Sequence, residues 1–187
     1  YESKSGERGI FNRESAIKQA AKNKRRKYAL VEKPVLPLDY IQFGCNPCSE
    51  IILRPYQFCN LTEVVCRQTD DLQTLKDKVR MATILGTFQS TLTDFKYLRK
   101  VWKDNTEEER LLGVSLTGIL DCSILSPYDK NLEDTLEQLK EVAVETNKKV
   151  AKDLGIPQST AITCIKPSGT VSQLVDSASG IHARHNP

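Results

Sequence analysis

Two long stretches carry apolar residues at helical spacing, and short β-branched runs separate them. This alternation constrains the fold more than any other feature. In the first stretch Leu75, Val79, Ala82, Leu85, Phe88, Leu92, Phe95 and Leu98 recur at three- and four-residue intervals. They predict one helix from Leu72 towards Trp102, capped by Asp70 or Asp71. In the second, Leu132, Leu136, Leu139, Val142, Ala143 and Val150 form a stripe from Asn131 to Leu154, which Gly155 and Pro157 end. Between and around them lie Leu61–Arg67 (LTEVVCR), Glu109–Leu120 (ERLLGVSLTGIL) and Ala161–Ile165 (AITCI). These read as a strand, a buried strand leading into a turn, and a short buried strand. Helices alternating with short apolar strands indicate an α/β fold rather than a bundle or a sandwich.

The N-terminal part reads differently. Ser5–Asn12 is a loop whose last residue, Asn12, caps a helix from Arg13 to about Lys27. The basic run at its end, Lys22 to Lys27, reads as a solvated helix terminus that suits the macrodipole. Lys33–Asp39 holds two prolines and is an extended connection. No apolar run approaches the roughly 20 residues that span a bilayer. The net charge of +3 is too small to imply a nucleic-acid or membrane partner. The chain starts at Tyr1 without an initiator Met, and both ends read as cuts, so that residues 1–187 form part of one larger domain. Six cysteines without a secretory signal favour reduced thiols and a cytoplasmic location.

The densest chemistry lies in Gly44-Cys45-Asn46-Pro47-Cys48-Ser49-Glu50. Pro47 biases Asn46 towards extended backbone. In an extended segment Asn46, Cys48 and Glu50 share one face, each step of two covering roughly 6.6 Å. An amide, a thiol and a carboxylate in a row suit chemistry on a polyol. The thiol's weak S–H bond lets its radical abstract hydrogen from carbon. The carboxylate takes a hydroxyl proton, and the amide holds a hydroxyl without titrating. Cys59 follows eleven residues after Cys48, beyond the turn-prone Arg54-Pro55-Tyr56. A second thiol folded back on the first can deliver reducing equivalents and end as a disulfide.

NPCSE followed at this interval by CNLTEV resembles the active-site finger loop of ribonucleotide reductases. It is especially similar to the adenosylcobalamin-dependent (class II) ribonucleoside-triphosphate reductases. SGERGIFNR, KPSGTVSQL and SGIHARH resemble the same group, in matching order along nearly the whole chain. The resemblance implies a segment of a ten-stranded α/β barrel with an inward finger loop. It implies reduction of ribonucleoside triphosphates to 2′-deoxyribonucleoside triphosphates by a thiyl radical, for DNA precursor synthesis. Cys48 resembles the thiyl carrier, Glu50 the group that takes the 3′-hydroxyl proton, and Asn46 the group that hydrogen-bonds the ribose hydroxyls and Glu50. Cys59 resembles half of the redox pair whose partner lies on an earlier strand. The implied cofactor is adenosylcobalamin, bound mostly outside this chain. The implied partners are thioredoxin or a similar dithiol and an allosteric deoxynucleotide effector. These 187 residues alone are then expected to be inactive.

Strand AITCI runs into Pro167-Ser168-Gly169-Thr170-Val171-Ser172 and an apparent helix. Hydroxyls, a glycine and free N–H groups at a helix start favour a bound anion. A Ser/Thr helix cap has the same look, so chemistry alone leaves both readings open; the resemblance makes Ser168, Gly169, Thr170, Val171 and Ser172 the cradle for substrate phosphates. Two other functions compete. Cys45, Cys48, Cys59 and Cys66 make a four-thiolate zinc site in an interaction module, although Cys59 and Cys66 are too far apart for a close-spaced pair. A glycyl-radical enzyme would also use a thiyl. Cys66, Cys122 and Cys164 sit in apolar contexts and read as core, Cys45 reads as structural, and His182 and His185 as hydrogen-bonded structural residues with no metal.

Overall fold

The computed structural model describes residues 10–26 and 43–184. The start of the first loop, Lys27, the Lys33–Asp39 connection and His185 lie outside the described residues. Helix α1, Arg13–Ala21, begins where expected, with the Asn12 side chain accepting from the Ser15 N–H at 2.9 Å. It ends earlier than the pattern suggests. Of the basic residues that follow, Lys22 and Lys24 are exposed as expected, but the run does not end in solvent. Arg26 is 4% exposed, donates to Ile52 O at 2.6 Å and pairs with the buried Glu109 at 3.4 Å.

The central sheet is parallel, in the order β3-β4-β5. Strand β3 spans Asn60–Val65, β4 Leu112–Thr117 and β5 Thr163–Cys164. β3 and β4 run in register from Asn60 opposite Leu112 to Val65 opposite Thr117. β5 joins β4 with Val114 opposite Thr163 and Ser115 opposite Cys164. Helices α2 (Leu72–Gln89) and α3 (Lys100–Glu109) connect β3 to β4, and α4 (Leu132–Asp153) connects β4 to β5. Two successive βαβ units bear out the α/β reading.

All six residues of β4 are buried. One face carries Leu112, Val114 and Leu116, which join Val64, Leu75, Val79, Ala82, Leu139 and Ala143 in the core under α2 and α4. The alternation of a strand puts Gly113, Ser115 and Thr117 on the opposite face, and the site is built there.

The single helix expected to reach Trp102 is two helices. Ser90 and Thr91 turn their hydroxyls onto the carbonyls of Thr87 and Phe88, at 2.6 and 2.7 Å. Such side-chain bonds compete with the helical ladder, and α2 stops at Gln89. The stripe also drifts. Leu85, Phe88 and Leu92 are exposed, whereas Thr83 and Thr87 are buried against α4. There Asn147 donates to Thr87 Oγ1 at 3.0 Å and to Ser159 Oγ at 3.1 Å, and accepts from the Ser159 N–H at 3.0 Å. A polar lock thus joins α2, α4 and the approach to β5.

Candidate active site

The cysteine loop is a tight hairpin rather than an extended strand, which corrects the expected geometry. Two-residue strands β1 (Gly44–Cys45) and β2 (Ile52–Leu53) pair antiparallel, Cys45 opposite Ile52. The six residues between them turn around Asn46. Its N–H donates to Ile51 O at 3.2 Å, its carbonyl accepts from the Ser49 N–H at 2.9 Å, and its Oδ1 accepts from the Ile51 N–H at 3.0 Å. Ser49 closes the turn with φ 63°. The remaining polar group of Asn46, Nδ2, donates to Glu50 Oε1. Amide and carboxylate therefore meet through the turn and not through strand alternation. The second oxygen of Glu50, Oε2, is buried and accepts no hydrogen bond.

Cys48 stands exposed at the hairpin tip, with the Lys166 ammonium 3.6 Å from its Sγ. Cys45 lies at the side, donating to Ser49 Oγ at 3.5 Å.

Cys59 returns towards the hairpin because the chain reverses at Tyr56, φ 58°. Gln57 anchors the return, accepting from the Arg54 N–H at 3.1 Å and donating to Glu109 at 2.8 Å. Phe58 stacks on Trp102 at 4.7 Å and meets Phe95 edge-on at 5.1 Å. Asn60 then donates from backbone and side chain to Leu111 O, starting β3. Burial, reinforced by the Glu50 carboxylate, pushes the Cys59 thiol up, while Lys166 pulls it the other way.

Cys164 is not simply a core residue. It is half-buried on β5, on the same face as Gly113 and Ser115. Burial first, then Glu50 and Cys59, push its thiol up to about 12. Both Glu50 and Lys166 thus act electrostatically on Cys59 and Cys164, which draws these four groups into one cluster at the hairpin. Gly113 makes room for it. A side chain there would collide with Leu61 Cδ2 and crowd Cys164 Sγ at 3.1 Å and Ile51 Cδ1 at 3.2 Å. Sequence reasoning missed Cys164 and Lys166, although Lys166 opens the KPSGTVS motif. Only the strand register could have placed them at the hairpin.

The loop after β5 leads into a short helix, α5, Thr170–Leu174. Two of its three hydroxyls hold the loop itself. Ser168 Oγ accepts from the Ser172 N–H at 3.0 Å, and Ser172 Oγ donates to the carbonyls of Ser168 and Gly169 at 3.0 and 2.9 Å. Gly169, Thr170 and Val171 face outward. A Cβ at Gly169 would meet nothing of the protein within 4 Å.

The zinc alternative finds no support in this geometry. Cys66 is sealed in the core beside Cys122, its thiol pushed up to about 12 by burial and then by Cys122. Strand β3 separates it from Cys59 by roughly 20 Å at the usual rise per residue. Among the described residues no three His, Cys, Asp or Glu side chains are grouped to hold a metal. His182 is exposed, and its N–H donates to Ser179 O at 2.8 Å. No helix among the described residues is long and apolar enough to cross a membrane.

A parallel βαβαβ sheet with a cysteine hairpin beside the face that its helices leave free is similar to part of a ribonucleotide reductase. The fold matches a crystal structure of a B12-dependent (class II) ribonucleotide reductase with a TM-score of 0.63 and 26% identity, over 76% of this chain and 23% of that one. Within the class, its curated relatives carry the name adenosylcobalamin-dependent ribonucleoside-triphosphate reductase. That of Lacticaseibacillus paracasei is 28% identical over 96% of this chain and 26% of its own length. That of Lactobacillus leichmannii is 26% identical over 74% and 22%, and that of Euglena gracilis 29% over 74% and 18%. The chain thus spans about a quarter of the length of these relatives or less. No family profile matches it.

Proposed function

We propose that this chain belongs to the catalytic barrel of a ribonucleoside-triphosphate reductase, which converts ribonucleoside triphosphates to 2′-deoxyribonucleoside triphosphates for DNA precursor synthesis. One observation carries the reading. Asn46 fixes one oxygen of Glu50 while the other is buried without a partner, in the same turn that presents Cys48 and beside the thiol of Cys59.

The Cys48 sulfur, as a thiyl, takes the 3′ hydrogen of the ribose, forming S–H and leaving the radical on carbon. Glu50 Oε2 accepts the 3′-hydroxyl proton. The 2′-hydroxyl departs as water after gaining a proton. Cys59 and its partner thiol, on a strand outside this chain, supply two electrons and two protons and become a disulfide. Cys48 then returns its hydrogen to C3′. The sum is one ribonucleotide and two thiols converted to one deoxyribonucleotide, one water and one disulfide. Asn46 holds Glu50 and the ribose hydroxyls in line, so that the reacting groups meet already oriented.

Adenosylcobalamin, when bound, supplies the radical that converts the Cys48 thiol to a thiyl. The exposed thiol at the outermost point of the hairpin fits that role, and most of the cobalamin-binding surface is assigned outside this chain. The loop 168–172 cradles the triphosphate through Thr170 and the open backbone at Gly169. Thioredoxin or a similar dithiol regenerates the thiols, a deoxynucleotide effector acts elsewhere in the protein, and the reaction belongs to the cytoplasm.

The test is turnover of the full-length protein. Cys48→Ser abolishes it, Glu50→Gln removes most of it, and Cys59→Ser stops dithiol-supported multiple turnover. Normal turnover by Cys48→Ser sinks the reading.

A further inference from the structure

Lys166 has no part in the mechanism above, yet its surroundings are built with care. Its N–H donates to Ser115 Oγ on β4 at 2.9 Å. On the other side its carbonyl presses on Gly180, φ 54°, where a Cβ would lie 2.7 Å from Lys166 O and 3.3 Å from Pro167 Cα. The main chain of Lys166 is therefore gripped between a central strand and a glycine that permits close approach. From this fixed base the side chain reaches the hairpin, with Nζ 3.6 Å from Cys48 Sγ and 3.5 Å from Pro167 O.

The hairpin needs such a support. Among the described residues two pairs, Gly44 with Leu53 and Cys45 with Ile52, join its strands. A two-stranded ribbon of that length is marginal by itself. Beyond those pairs, Asn46 ties the base of the turn, and Cys48 lies past that tie with its side chain in solvent. A hydrogen donor to carbon must be held within contact distance of the C–H bond, and a misplacement of about 1 Å costs on the order of a hundredfold.

We infer that Lys166 is a positioning residue for Cys48: its ammonium donates to the sulfur and docks the hairpin tip onto the β5–α5 loop. An ammonium has donors and no acceptor, so it grips the sulfur lone pairs and leaves the S–H hydrogen free to be removed. The same cation acts weakly on Cys59 and Cys164, in each case opposing the rise that burial imposes on the thiol. The tip of the hairpin and the loop proposed to cradle phosphate are thereby mechanically joined.

This inference rests on the reductase reading, and its test separates the two. Hydrogen exchange of the peptide covering residues 44–53 is measured in the full-length protein and in Lys166→Met, Lys166→Arg and Gly180→Ala. Lys166→Met is expected to speed exchange in this peptide about tenfold and leave the β3 and β4 amides unchanged. Lys166→Arg, which keeps a donor, restores most of the protection. Gly180→Ala, which moves the base of the lysine, loosens the same peptide. In turnover, Lys166→Met lowers kcat tenfold or more and changes KM for the nucleotide less than threefold. Unaltered exchange in 44–53 overturns the inference, as does a loss confined to KM, which would make Lys166 a phosphate ligand instead. Turnover by Cys48→Ser would sink the reductase reading while leaving the exchange result standing.

Discussion

Arg26 and Glu109 form an ion pair with both side chains sealed from solvent, 5% and 0% exposed. The pair fastens the segment after α1 to the last residue of α3, immediately before β4. Arg26 also holds Ile52 O, and Gln57 holds the same Glu109 oxygen. The pair thus secures both arms of the site, the cysteine hairpin and the return to Cys59. Removing one partner leaves a buried charge uncompensated, at about 3–5 kcal/mol. Arg26→Met and Glu109→Leu are each expected to lower the unfolding free energy from urea titration by that much. The double variant Arg26→Met/Glu109→Leu should recover a large part of the loss, and simple additivity of the two losses would contradict the pairing.

Asn46 makes four hydrogen bonds within six residues, one of them to Glu50. Asn46→Asp keeps the shape and the Oδ1 acceptor but replaces the Nδ2 donor with a second negative oxygen beside the carboxylate. The expected outcome is a fall in kcat of at least a hundredfold in the full-length protein, with the melting temperature lowered by only a few degrees. Retention of kcat would show that the Asn46–Glu50 bond does not serve the reaction.

Burial raises the thiols of Cys66 and Cys164 from 9.0 to about 12. A raised thiol pKa means that the folded state holds its protons where the unfolded chain has lost them. The stabilisation is complete below pH 9 and disappears as pH climbs from 9 towards 12. The slope is at most about 1.4 kcal/mol per unit for each thiol. Urea midpoints at pH 8, 9.5 and 10.5 should fall in sequence, and more shallowly in Cys66→Ala. In the native protein at pH 8, Cys48 should react with a thiol reagent and Cys66 only after denaturation.

Gly118 has φ 70°, and a Cβ there would stand 2.7 Å from the carbonyl of Cys66. Its N–H donates to Ala178 O at 2.8 Å, tying the end of β4 to the segment after α5. Gly118→Ala combines left-handed strain with a backbone collision and should destabilise by about 1–3 kcal/mol. Gly155→Ala also has positive φ, but a Cβ there meets nothing within 4 Å. It isolates the strain, and its loss should be the smaller. Equal thermal shifts for the two variants would refute the collision at Gly118.

The alternation of elements was legible because β4 is an apolar run buried along its whole length and α4 repeats apolar residues at helical spacing, although its buried line passes through Thr135 and Asn147 and leaves Leu136 exposed. The helix boundary at Gln89 was not, since hydroxyls on Ser90 and Thr91 look compatible with a helix until they are seen bonded to its carbonyls. The site followed the same rule. Asn46, Cys48 and Glu50 could be chosen from residue chemistry, but the turn that joins Asn46 to Glu50 needs bonds that alternation does not describe. Arg26 read as solvated because a basic run gives no sign of a buried acid 83 positions away. Cys164 and Lys166 join the site through the pairing of β5 with β4, which composition cannot reveal.

Among the described residues β3 and β5 each pair on one side only, both with β4. The outer margins of this sheet therefore present rows of amides and carbonyls ready to accept another chain. A strand docked at either margin would lengthen the ladder that β4 shares with its two neighbours, so the sheet can grow sideways without any change to its core.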